Sequence, residues 1–409
     1  MTNQSSLGPL VVLSEAQRSI ASKIIIFAII TVSMGQTVVF AILGPLGREV
    51  GLDELQIGFI ITCSSVIFSL FSPMWGRRSD VMGRKSVMII GLIGYTLGTV
   101  LFATTFYAGL HGWLTGGALF VALIVARMTQ SLVMSATSPA ATAYVSDITD
   151  VSNRTVGIGR IGAAHSLGTI LGPAIAYFAV ISLLAPIYLA AGMTLLGAIL
   201  VVRYLPSLPI PEKPEVKMRK LRYTDRRILP FMIVGMSMFT GFSVVQQTLG
   251  YYLQDQLHLS AELTAQKVGI AMMGSAIAAL AMQLIVVQRL AWSPYRLMAV
   301  GLPMMLLGFI GIALGTTLVE YVCAMGFVGM GIGMSAPGFS SASTLAVTAE
   351  EQGAVAGLVS ACPALGFIVG PMLGAGLYKV SAAAPYIGSA VLFVPLILFS
   401  WNVARNAHK

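Results

Sequence analysis

The sequence predicts an all-α integral membrane protein: twelve transmembrane helices in two pseudo-symmetric six-helix bundles. Three observations predict it. The 409 residues are 56% hydrophobic and only 10% charged, with a mean hydropathy of +0.87, where a soluble domain carries about 25% charged residues. Apolar runs of about 20 residues, each long enough to cross a hydrocarbon core about 30 Å thick, recur along nearly the whole chain. One glycine pattern occurs twice: Gly159, Gly168, Gly172-Pro173 and Gly357, Gly366, Gly370-Pro371. The offset is 198 residues throughout (357 minus 159), close to half the chain. Duplicated halves of membrane helices are the sequence mark of a secondary transporter.

The spans fall at about 22–45, 57–75, 86–107, 116–142, 157–178 and 183–203. They resume at about 228–251, 264–287, 296–316, 319–342, 354–377 and 384–403. The stretch to about Ala21 is polar, without the basic-apolar-cleavage order of a signal peptide, so the first helix itself is expected to direct insertion. Between the sixth and seventh spans lies a polar stretch with Pro206, Pro209, Pro211 and Pro214 and eight Lys/Arg. It divides the chain into a first half (1–203), a linker (204–227) and a second half (228–409). With both termini on the linker side, that side carries 20 Lys/Arg and the opposite side 3, Arg48, Lys267 and Lys379; Arg127 lies within a span. Positive charge collects on the cytoplasmic side, so termini and linker are placed there, in a cytoplasmic membrane crossed many times. The net charge of +9 therefore reports membrane topology rather than nucleic-acid binding. Cys63, Cys323 and Cys362 make no metal or redox spacing and are expected to act as small packing residues.

The second and third spans are joined by Gly76-Arg77-Arg78-Ser79-Asp80-Val81-Met82-Gly83-Arg84-Lys85. Gly76 and Gly83 permit a tight turn, and Asp80 is the only carboxylate among four cations. The segment matches G-x3-D-x2-G-R-K, and on it the chain resembles the major facilitator superfamily, in particular its twelve-helix drug:proton antiporter branch. A second motif, Arg127-x2-Gln130, lies in the fourth span, with Ser131 where the family usually has glycine. The third is the fifth-span glycine pattern; Ala176-Tyr177 stand where the branch usually has two further glycines. The resemblance implies that Asp80 docks against the start of the eleventh helix and latches the cytoplasmic side. It also implies that a loop arginine is tied to an acid ending the fourth helix, for which Asp147 is the candidate. The equivalent loop of the second half, Gln288–Arg296, keeps two cations but neither the Asp nor the glycines.

Small residues in the fifth and eleventh spans allow close helix approach. Gly172-Pro173 and Gly370-Pro371 either serve that packing alone or supply bends for gating. Ionisable groups inside spans are functional candidates, because burial in lipid is costly. Arg127 lies about ten residues into the fourth helix, or about 15 Å at 1.5 Å per residue, and His165 about nine residues into the fifth. Each serves either structure or the transport cycle. Arg127, Gln130, Ser131, Met134 and Ser138 share one helix face, as do Met236, Thr240, Ser243, Gln247 and Tyr251 in the seventh span. Gln36 and Thr37 add polar groups in the first. These faces either glue helices together or coordinate a polar solute at the interface of the halves.

Many antiporters of the resembled branch carry a proton-binding acid in the first or fourth helix. Here neither span has one before Asp147, which leaves His165 as the embedded group that titrates near neutral pH. Arg127 without a buried counter-charge leads us to expect an anionic or zwitterionic substrate. The function expected is export of a small organic molecule, drug-like or a metabolite such as a carboxylate siderophore, by proton antiport. Its alternatives are an importer of the same fold and a non-transporting receptor or scaffold. An enzyme is not expected: no paired carboxylates or nucleophile-base spacing stands out, and no GxxxxGK[ST] phosphate loop occurs. No cofactor or metal is implied, and the partners are the substrate, protons and lipid around a monomer.

Overall fold

The computed structural model describes residues 14–149, 154–209, 224–348 and 351–407, and among them there is no strand. Twelve helices are long and apolar enough to span a bilayer. In chain order they are α1 (Glu15–Glu49), α2 (Glu54–Met82), α3 (Arg84–Leu110), α4 (Gly116–Ile148), α5 (Gly157–Val180) and α6 (Ala185–Tyr204). Then follow α7 (Leu229–Leu257), α8 (Ala261–Arg289), α9 (Pro294–Leu314), α10 (Leu318–Leu345), α11 (Ala354–Val380) and α12 (Ala384–Arg405). Most of the expected linker, 210–223, falls outside the described residues.

Several helices outrun their apolar spans because polar caps extend them past the hydrocarbon. Ser14 accepts from the Gln17 backbone N–H at 3.2 Å while the Gln17 side chain accepts from that of Ser14 at 3.0 Å. Asp53 and Gln56 cap α2 in the same way, and Thr317 and Glu320 cap α10. The fourth span, expected as one helix, is interrupted at Ser135-Ala136 and resumes at Thr137. Pro139 explains the break, since its ring collides with the carbonyl four residues back and it has no N–H to offer there. After Pro173, α5 tightens into a 3₁₀ turn over Ala176–Val180.

The glycine repeat is realised as equivalent packing. A Cβ at Gly168 would lie 2.6 Å from the Ser33 Cβ on α1, and one at Gly366 would lie 2.6 Å from the Phe239 Cβ on α7. A Cβ at Gly172 would lie 2.5 Å from the Met34 carbonyl, and one at Gly370 3.0 Å from that of Thr240. Both partner pairs are 206 residues apart (239 minus 33, 240 minus 34). So α5 lies on α1 as α11 lies on α7, backbone against backbone, which only a missing side chain allows. Gly159 and Gly357, at the linker-side ends of the repeat, face open space.

The bundles meet along two related seams. The Gly269 backbone of α8 presses on the Pro173 carbonyl of α5, where an added Cβ would sit 2.5 Å from that oxygen. The Gly58 backbone of α2 presses on the Pro371 carbonyl of α11, with the corresponding distance 2.9 Å. Both seams lie toward the end opposite the linker.

Candidate functional site

Two cavities meet at His165. One, of about 320 Å³, lies on the inner face of the first bundle and is lined by Ser33 and Gln36 of α1, Phe68 of α2, Met134 and Ser138 of α4, and His165 of α5. The other, of about 220 Å³, lies between the bundles. It is walled by His165 and Thr169 of α5, Phe242 and Gln246 of α7, Met272, Ser275 and Gln283 of α8, and Met325 of α10. Ligand sites typically enclose roughly 300–1,000 Å³. His165 is exposed within this space, with its Nδ1 2.7 Å from the Ser33 Oγ on the neighbouring helix. The bond fixes the ring and leaves Nε2 the complementary donor or acceptor role. A larger hollow of about 720 Å³ continues toward the linker side, bounded by Arg18 and Lys23 of α1 and Arg160 of α5, with Glu15. It shares Ile161 with the first cavity.

The α4 face turns inward, and its members divide among three partners. Arg127 is 4% exposed and donates from Nη1 to the Gln130 Oε1 at 2.5 Å. The Gln130 Nε2 donates onward to the Thr99 Oγ1 on α3 at 2.6 Å. The guanidinium lies 5.3 Å from the centre of the Phe102 ring, while its Nε is buried with no hydrogen-bond partner among the described residues. The Ser131 Oγ meets the Ser64 Oγ on α2 at 2.6 Å, and the Gln36 Nε2 donates to the Met134 Sδ at 3.5 Å. Arg127 and Gln130 therefore sit inside the first bundle against α3, and the cavities are lined by other residues of this face, Met134 and Ser138.

The seventh span behaves similarly. Ser243 packs on Gly370, and Thr240 on Gly366 and Gly370. Gln247 is buried. Tyr251 is fully buried below Arg48, whose guanidinium carbon is 5.0 Å from its ring centre. It is Gln246, one residue beyond the expected face, that reaches the cavity, with its Oε1 buried and without a partner among the described residues. Sequence spacing missed it because the glycines of α11, and not solvent, claim the more polar face of α7.

At the linker side Arg84 is a hub. Its Nε donates to the Asp147 Oδ2 at 3.0 Å, its Nη1 donates to the Ser79 Oγ at 2.6 Å, and it is paired with Asp80. Lys85 follows it, half-buried, at the start of α3. The expected turn is far shorter than the motif: α2 continues helically through Met82, and Gly83 alone, at φ +88°, links it to α3. Gly76 is thus a helical residue facing Pro139, where a Cβ would lie 3.6 Å away, and not a turn residue. The segment leading into α11, where Asp80 is expected to dock, includes residues outside those described (349–350). Arg227 donates to Glu351 at 2.8 Å and to Asp225 at 2.8 Å. That pairing pulls Asp225 down to about 2.

The opposite end is tied across the bundles by contacts that sequence reading took only as topology charges. The Arg48 Nη2 donates to Glu54 at 2.7 Å, and its Nη1 donates to Asp255 at 2.5 Å. The Tyr378 hydroxyl donates to the same Asp255 at 2.5 Å. The Lys379 Nζ donates to the Asp53 Oδ2 at 2.9 Å, and the Thr62 hydroxyl donates to the Ile368 carbonyl at 3.0 Å. Partial burial tends to raise the Asp53 pKa, but Lys379 and the Gln56 N–H outweigh it and hold the carboxyl below its usual range. The signal available in sequence was the placement of Asp53, Glu54 and Asp255 at span edges on a side with only three Lys/Arg, of which Arg48 and Lys379 take them as partners.

A central cavity reached from one end and sealed by inter-bundle contacts at the other is a geometry for alternating access. The model of the Major Facilitator Superfamily matches residues 25–371. Multidrug resistance protein 1 of Bacillus subtilis (strain 168) is 24% identical over 403 residues, covering 95% of this chain and 98% of its own. Quinolone resistance protein NorA of Staphylococcus aureus (strain COL) is 23% identical over 396 residues, 92% and 95% of the two chains. Among solved structures, a bacterial homologue of the human lysosomal transporter Spinster, in an inward-facing and occupied conformation, superposes with a TM-score of 0.73 at 14% identity. It covers 96% of this chain and 98% of its own. The human organic anion transporter MFSD10 does so with a TM-score of 0.67 at 18% identity, over 94% and 99%.

Proposed function

This chain belongs to the major facilitator superfamily, a multi-pass membrane transporter of small molecules and not an enzyme, and we propose that it exports its substrate by proton antiport. The observation that carries the reading is the path from the linker side to His165, with the Arg48–Asp255 and Lys379–Asp53 pairs at the far end. The surplus of Lys/Arg on the linker side makes that side cytoplasmic, along with both termini, in the cytoplasmic membrane. Substrate enters from the cytoplasm. The halves 1–203 and 228–409, joined by the linker 204–227, then rock about the cavity, and the far-end pairs part as the linker side closes. The Arg84 hub with Asp80 and Asp147 holds the first half's linker-side end through this motion, and Pro173 and Pro371 set the bends in the helices that move.

His165 carries the proton, since it faces the cavity and the first and fourth helices offer no acid there. Arg127, Gln130 and Ser131 hold the first bundle's inner face in register. The transported molecule is a drug-like compound or a metabolite such as a carboxylate siderophore. Relatives named for multidrug and quinolone resistance favour export. The protein works as a monomer and without a cofactor.

The test is reconstitution into proteoliposomes with an imposed pH gradient of either sign. Antiport predicts that substrate accumulates on the acidic side of the membrane and that His165→Gln uncouples flux from the gradient. Accumulation on the alkaline side would make the protein a symporting importer, and identical coupled flux in the variant would remove His165 from the proton path.

A further inference from the structure

We infer that the cavity at His165 is built for solutes with an apolar body and a neutral or anionic polar end, and that it excludes fixed cations. The inference rests on the transport reading for its biology, but its chemistry comes from the walls. Among the described residues lining the two cavities there is no carboxylate. The polar groups that face the solute are one imidazole, the amides of Gln36, Gln246 and Gln283, and hydroxyls, set among methionines, phenyl rings and aliphatic side chains.

A permanent cation entering this lipid-embedded space loses its water and meets no opposite charge, which is the costly case for ion burial. The rings of Phe68 and Phe242, one in each cavity, offer cation–π attraction, but that is a weak substitute for a carboxylate. An oxygen-bearing head fares differently. The amides of Gln246 and Gln283 and the Nε2 of His165 can donate to it, and a protonated His165 adds a charge that favours an anion. Gln246 reaches the solute from α7 and His165 from α5, so a head between them touches both bundles at once. Gln246 is 4% exposed, and its Oε1 finds no partner among the described residues. A buried carbonyl oxygen in that condition is costly unless a donor such as a hydroxyl or water completes it, so the head that suits Gln246 best can give a hydrogen bond to the Oε1 as well as take one from the amide N–H. The methionine walls adapt to apolar bodies of varied shape. Lys23 and Arg160 border the linker-side hollow, where Glu15 is the one carboxylate among the described lining residues, and they bias entry the same way.

Three probes decide it: tetraphenylphosphonium (cationic) and tetraphenylborate (anionic), which share one shape, and the smaller triphenylphosphine oxide (neutral, a strong acceptor). Binding is read by equilibrium dialysis of the protein in nanodiscs at pH 5.5, against empty nanodiscs and without a gradient. The oxide and the borate are expected to bind at least tenfold more tightly than the phosphonium. Gln246→Leu should weaken the oxide about tenfold and leave the borate within threefold. Gln246→Glu, or the less buried Gln283→Glu if the first misfolds, should raise phosphonium affinity at least tenfold. Phosphonium binding as tight as the oxide in the wild type would overturn the inference, as would no binding of any probe. If oxide and borate bind selectively yet no probe moves under a pH gradient, the site chemistry stands and the transport reading falls. If phosphonium binds and is pumped, the reverse holds.

Discussion

Gly269→Ala should shift the protein away from the conformation described here, by an amount the seam itself sets. The added methyl would sit 2.5 Å from the Pro173 carbonyl oxygen, where ordinary contact begins at 3.4 Å. The neighbour is backbone, so no side chain can rotate away, and α5 and α8 must part by about 0.9 Å. Overpacking of this kind typically costs about 1–3 kcal/mol. Here the cost falls only on the state in which this seam is shut. The equilibrium should therefore move about 5- to 150-fold toward the linker-closed state. Gly58→Ala presses on Pro371 from 2.9 Å, a deficit of about 0.5 Å, and should act in the same direction more weakly. Gly159→Ala and Gly357→Ala, although they belong to the repeated motif, meet nothing within 4 Å and should be silent. The assay is electron–electron spin distance measurement in nanodiscs between labels at the exposed residues Met82 and Leu345, at the linker-side ends of α2 and α10. A growing short-distance population, ordered Gly269→Ala, then Gly58→Ala, then wild type, is expected. Unchanged distributions in Gly269→Ala, or an effect of equal size in Gly159→Ala, would refute the reasoning.

Two further outcomes follow from the ends of the molecule. Asp80→Asn keeps volume but removes one of the Arg84 hub's charges while leaving Asp147 in place; a charged hydrogen bond of this kind contributes about 1.5–3 kcal/mol. Transport should fall tenfold or more at equal membrane expression, and an unchanged rate would show that the hub's geometry does not depend on Asp80. For the Asp53–Lys379 pair, the folded Asp53 pKa lies below its usual value, so its contribution is present above about pH 4 and is lost as pH falls through the folded value. Both side chains are nearly half exposed, which limits the pair to under about 1 kcal/mol. Thermal stability of Asp53→Asn should lie slightly below wild type at pH 7 and converge with it as pH falls below about 4; a gap that widens on acidification would contradict that sign.

The sequence by itself determined the twelve spans, because burial in lipid demands about 20 apolar residues wherever the chain crosses, and hydropathy reads that demand directly. It also determined that the two halves are built alike, since a glycine pattern repeated at a fixed offset marks one packing made twice, while the partners α1 and α7 came from the structure. The family resemblance implied a tie from a loop arginine to Asp147, and the structure decides that Arg84 is the arginine that makes it. Tertiary structure alone decided which polar groups face a cavity. Arg127 and Gln130 turn to α3, Ser243 turns to Gly370, and Gln246 turns to the cavity that His165 also lines. Helical periodicity gives a face but not its neighbour, so a polar stripe reads the same whether it meets another helix or a solute. The far-end pairs Arg48–Asp255 and Lys379–Asp53 join residues 207 and 326 apart. Distances along the chain carry no trace of such meetings, because they arise only when two independently folded bundles press together across the membrane.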